Sequence, residues 1–140
     1  MNKTRFLDTS ILLRLINFDH PDHSPRTLGL FHQLAEEEFE GLISMTVVFE
    51  IVFVLERTGH RDDRSFIADA IEIVCRAPGV RLLGDELDTL RTTISLYRAH
   101  PKLSFPDCYN AALALAHCDG EIYTFDKDFG HVPGITRLEP

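Results

Sequence analysis

The 140-residue chain is 44% hydrophobic and 26% charged, which suits one compact domain over 1–140, able to bury roughly 68% of its unfolded surface. No stretch is poor enough in apolar residues to be read as disordered. A net charge of −8, from 14 basic and 22 acidic side chains, excludes a protein that coats nucleic acid through a general positive field, so any such partner must be met by a local basic rim.

Taken in chain order, 4–8 (TRFLD) is a short strand candidate, and 9–17 is a helix with Ile11, Leu12, Leu15 and Ile16 at helical spacing. After the loop FDHPDHSP, Leu28, Phe31 and Leu34 mark a second helix that fades into EEEFE. A strand at 41–44 leads to a helix at 46–57 that Gly59 ends. The next segment, DDRSFIADAIEIVCR, is amphipathic through Phe66, Ile67, Ala70, Ile71 and Val74, and Pro78-Gly79 turns the chain into VRLL. Leu87, Leu90, Ile94 and Tyr97 give another helix, followed by a helix at 107–118, a strand at 121–125 and a final strand near GITRL. Strands and helices alternate, which implies an α/β fold with a parallel sheet covered by helices on both faces.

The most apolar stretch, TVVFEIVFVL at 46–55, is too short to span a bilayer and contains Glu50. No apolar segment of signal-peptide length precedes Asp8. Cys75, Cys108 and Cys118 form no C-x-x-C pair and suit a reducing compartment, so a cytoplasmic protein without a membrane partner is expected. Cys108 and Cys118 read as small core residues of a helix.

In parallel α/β sheets ligands sit outside the carboxyl ends of the strands, which draws attention to four acids. Asp8 follows the first strand, Asp126 follows the strand at 121–125, Asp107 opens a helix after Pro106, and Glu50 lies one turn into the helix after the second strand. Each has an ordinary explanation. Asp8 and Asp107 are residues that cap helices, and Asp126 and Asp128 are turn formers ahead of Gly130. Glu50 is harder to dismiss, because Thr46, Val47, Phe53 and Val54 surround it with a largely apolar face that should be covered. If these acids converge without a buried base, a hard divalent cation with oxygen ligands, Mg²⁺ or Mn²⁺, is the usual way to hold them together.

The segments FLDTSILLRLI, MTVVFEIVFVLER, SFPDCYNAALALA and IYTFDKDFG, in this order and spacing, resemble PIN-domain ribonucleases, in particular the VapC-type toxins of toxin–antitoxin pairs. The resemblance implies a three-layer α/β/α sandwich around a central, mainly parallel sheet of four to five strands. It places Asp8, Glu50, Asp107 and Asp126 in the family's acidic cluster and Asp128 at its less constant fifth acid, with Thr9, Ser10 and Thr124 at supporting hydroxyl positions. It further implies an endoribonuclease using one or two Mg²⁺ or Mn²⁺ ions, 3′-hydroxyl and 5′-phosphate products, a cognate antitoxin and a homodimer. Asn110 shares a helical face with Asp107 and can hydrogen-bond the substrate, while Arg14, Lys102 and Lys127 are candidate phosphate contacts. The HPDH loop, with His20 and His23, matches no family motif and reads as a solvated turn.

Two other classes compete. The D-x-D of FDKDFG is shared with haloacid-dehalogenase phosphatases, but there the pair follows the first strand, whereas here three other motif segments precede it. A non-catalytic PIN-like module that binds RNA or a protein is the second, and the full set of acids favours the enzyme over it.

Overall fold

A computed structural model describes residues 4–83 and 87–139. Two compact units divide the chain at Asp85 and Glu86. The α/β class and the parallel pairing hold: among the described residues five short strands and six α-helices are found, pairs of helices separate the first four strands, and every strand pair is parallel.

The first unit carries β1 (Thr4–Phe6), α1 (Thr9–Asn17), α2 (His23–Ala35), β2 (Glu40–Ile43), α3 (Met45–Arg57), α4 (Arg64–Cys75) and β3 (Val80–Leu82). Its sheet runs β1-β2-β3, with Phe6 opposite Leu42 and Ile43 opposite Leu82, so β2 is central and each crossover is a helix pair. Helix α1 packs on α2 and α3, and α3 packs on α4. Leu12, Leu34, Ile43, Val48, Ile51, Leu55, Ile67 and Ile71 are all almost completely buried, each contributing about 1.5–3 kcal/mol by leaving water. Residue by residue, β1 is shorter than the sequence suggests and wholly exposed, while β2 keeps its expected length one residue earlier.

Helix α2 starts at His23, earlier than the loop-like FDHPDHSP implies. Pro25 is accommodated because the third position of a helix has no intrahelical N–H bond to lose. His20 supplies the missing cap: its Nδ1 accepts hydrogen bonds from the backbone N–H of Asp22 at 3.2 Å and of His23 at 2.8 Å.

The second unit carries α5 (Leu87–Ala99), α6 (Phe105–His117), β4 (Glu121–Tyr123), a 3₁₀ turn at Lys127–His131 and β5 (Thr136–Leu138). Helices α5 and α6 pack along their length around Leu90, Ile94, Tyr97, Phe105 and Ala111, with the Tyr97 and Phe105 rings edge to face at 5.2 Å. Cys75 and Cys108 are buried, and burial pushes the Cys75 thiol up to about 12. Cys118 is exposed at the C-cap of α6, which corrects the expectation that it is a core residue: the last turn has already left the apolar face.

Strands β4 and β5 pair through Thr136 N–H and Gly120 C=O at 2.9 Å. Gly120 has φ +79°, and a Cβ there would lie 1.9 Å from the carbonyl oxygen of Gly134. Both the left-handed backbone and the clash oppose any side chain. Gly120→Ala is therefore expected to cost at least about 2 kcal/mol and to loosen the pairing that sets the end of β4. A denaturant melt checks it; a variant as stable as the parent would contradict the close approach.

Among the described residues no helix is long and apolar enough to cross a membrane.

Candidate functional site

Asp8 leaves the end of β1 and takes the N-cap position of α1, with extended backbone angles of φ −77° and ψ 158°. The position is that of a helix cap, yet the carboxylate makes no capping bond. Instead Asp8 Oδ2 accepts a hydrogen bond from Ser10 Oγ at 3.0 Å. The side chain is thus held by a hydroxyl of the first turn and not by a backbone N–H, with the residue exposed.

One residue on, the buried Thr9 donates its hydroxyl to Glu50 Oε2 at 2.6 Å, a short bond of the charge-assisted kind. Glu50 lies in the second turn of α3, whose start is fixed by Ser44, the N-cap, accepting from Val47 N–H at 3.4 Å. The bond spans 41 residues of sequence and ties the first residue of α1 to α3. Glu50 is nevertheless exposed, contrary to the covered apolar face expected, because Thr46 and Phe53 on that face are themselves exposed. In this unit, then, the sequence-chosen Asp8, Thr9, Ser10 and Glu50 form two hydrogen-bonded pairs, Asp8 with Ser10 and Glu50 with Thr9.

The remaining candidates lie in the second unit. Helix α6 begins at Phe105, and its N-cap is Ser104, whose Oγ accepts from Asp107 N–H at 3.2 Å. Asp107 is therefore not the cap; it is a half-buried acid in the first turn, where the helix dipole favours negative charge. Asn110 is exposed one turn further along. After β4, Thr124 Oγ1 accepts from Asp126 N–H at 3.0 Å, and Asp126 Oδ1 accepts from Asp128 N–H at 2.9 Å. Here the ordinary explanation holds in part, since Asp126 does cap the 3₁₀ turn. That leaves its second carboxylate oxygen, and the half-buried Asp128 beside it, on one short turn. Lys102 and Lys127 are exposed.

Among the described residues no group of three or more His, Cys, Asp or Glu side chains is placed to hold a metal ion. The donor chemistry still suits a hard cation. Asp8 and Glu50 are carboxylates oriented by hydroxyls, and no thiol or imidazole is hydrogen-bonded to either. Sequence reasoning did not find the capping serines Ser44 and Ser104, although Ser before an apolar run, with Pro106 and Asp107 in the first turn after Ser104, is a recognisable start signal.

A solved structure of VapBC2 from Rickettsia felis, bound to a DNA fragment from its promoter, is similar at 15% identity, covering 97% of this chain and 98% of that one with a TM-score of 0.43. No curated protein matches in sequence. The PIN domain model matches residues 5–135, a span that includes all five acids, and so the chain belongs to the PIN domain family.

Proposed function

We propose that this chain is a Mg²⁺- or Mn²⁺-dependent endoribonuclease, the toxin of a toxin–antitoxin pair, with Asp8, Glu50, Asp107, Asp126 and Asp128 as the residues that hold one or two cations. The observation that carries it is the Asp8 carboxylate, which stands where a capping residue stands and does not cap. A short polar side chain at an N-cap that forgoes the capping bond is available for another charge.

Each supporting residue has a definite task in this reading. Ser10 and Thr9 each occupy one carboxylate oxygen, on Asp8 and Glu50, and leave the other oxygen free to face outward. Thr124 and Asp126 fold the chain after β4 so that two carboxylates share one turn. Asn110 is a donor for a phosphate or ribose oxygen. When bound, the cation supplies a lowered pKa for the attacking water and charge stabilisation for the in-line transition state. No His or Ser nucleophile is then required.

The partners follow from the toxin reading: RNA as substrate, a cognate antitoxin as inhibitor, a second copy of the chain, and the cytoplasm as the place of work. The presence of all five acids favours this reading over a binding-only PIN-like module. Incubating total RNA with the purified protein across a Mn²⁺ series, with EDTA as the blank, tests it. Cleavage that rises with Mn²⁺ and stops in EDTA is expected, and intact RNA at every concentration would assign the chain to the binding module.

A further inference from the structure

Between α1 and α2, an open cleft of about 530 Å³ lies in the size range of clefts that hold small ligands, about 300–1,000 Å³. Every titratable side chain that lines it is basic: Arg14, His23 and Arg26, beside the apolar Ile11 and Leu30. In a chain of net charge −8 that is the local basic rim a nucleic acid needs. Ser10 lines the same cleft, and its hydroxyl holds Asp8 at 3.0 Å, so the cleft begins beside the proposed reaction centre.

The arginines are available. Arg26 pairs with Asp22 at 3.3 Å with side chains 73% and 66% exposed, and Arg14 pairs with Asp19 at 3.5 Å. Exposed pairs of this kind are screened by water and exchange readily for a phosphate, which a guanidinium can hold with two hydrogen bonds.

The HPDH loop now acquires a use. His20 is immobilised by the two backbone N–H groups it accepts, and His23 stacks on it with ring centroids 3.9 Å apart and planes at 11°. His23 is half exposed, which leaves a second ring face for an unpaired base. We propose that this cleft binds the nucleotide next to the scissile phosphodiester, its phosphate between Arg14 and Arg26 and its base on the His23–His20 stack, and so selects single-stranded RNA. The proposal rests on the endoribonuclease reading.

Fluorescence anisotropy of a labelled single-stranded oligoribonucleotide in EDTA, run beside Mn²⁺-dependent cleavage on the same preparations, tests it. Arg14→Gln with Arg26→Gln is expected to bind about tenfold more weakly, with a salt slope shallower by about 1.4, two single-strand phosphate contacts at about 0.7 each. His23→Ala should lose several-fold in affinity for the single strand and little for a duplex. Arg76→Gln, an exposed arginine at the end of α4, should bind as the parent does. Thermal melts exclude misfolding, and Arg26→Gln alone repeats the measurement at a solvated position should the double variant not fold. Affinity and slope equal to the parent's would overturn the proposal, as would a parent that cuts RNA without measurable affinity for it. Lost antitoxin binding with unchanged RNA affinity would assign the cleft to a protein instead. A parent that neither cuts nor binds RNA removes the endoribonuclease reading and this inference together, whereas cleavage with an unchanged slope removes only the inference.

Discussion

Asp8→Asn is expected to cut RNA slower by orders of magnitude while melting at or above the parent in EDTA. The two halves of this result come from different physics. Asn and Asp cap helices about equally well, and Asp8 in any case makes no capping bond, so the fold should not notice the change. Ser10 can still donate to the amide oxygen as it does to Oδ2. What disappears is one negative charge from a set of acids proposed to meet a cation. Without the cation, that removes repulsion; with it, a ligand is weakened. The parent should gain about 2.7 kcal/mol when free Mn²⁺ is one hundred times its dissociation constant, and the variant most of that less. Melts with and without Mn²⁺ beside a cleavage assay decide it, and an Asp8→Asn protein that cuts RNA normally would sink the whole site assignment.

The parts of the molecule legible in the sequence were those with strong local signals. Helix α1 matches its apolar spacing at both ends, and α3 differs by one residue from the expected span. Where the sequence misled, a tertiary or unusual local interaction had replaced the common one. Asp22 is the residue type expected at the N-cap of α2, but the HPDH setting reads as a turn, and the bonds that cap the helix come from the His20 imidazole, so the sequence places the helix start too late. Glu50 sits on a face that packing covers only at Val47 and in part at Val54, leaving Phe53 exposed, because periodicity reports which residues share a face and not how much of it is covered. Strands of three residues gave too little alternation to fix their ends, and the sheets of three and of two strands could not be counted from pattern alone. The proposed site residues rest on a different kind of signal. Acids after strand ends are individually ordinary, and apart from Glu50 it is the order of four motif segments that marks them out.

Glu50→Gln is the second change expected to abolish most of the cleavage, and its partner Thr9 shows why. Glu50 is exposed, so replacing its carboxylate by an amide of the same shape should leave stability within about 0.5 kcal/mol of the parent. Its charge is the only property removed, apart from the acceptor strength offered to Thr9 Oγ1 at 2.6 Å. Thr9→Val keeps the charge and removes the hydroxyl. The buried Thr9 site tolerates the methyl group sterically, and the lost bond frees the Glu50 side chain to rotate. Activity should then fall about tenfold, the loss of roughly 1.4 kcal/mol that a charged-group hydrogen bond contributes, and more Mn²⁺ should be needed for half-maximal rate. Thr9→Ser, which restores the donor, should recover both. A purely structural Thr9 would lower the melting temperature without moving the Mn²⁺ dependence, so the titration separates positioning from packing. If Glu50→Gln cuts RNA at the parent rate, Glu50 does not belong to the site, and the Thr9 bond is a brace between α1 and α3 and nothing more.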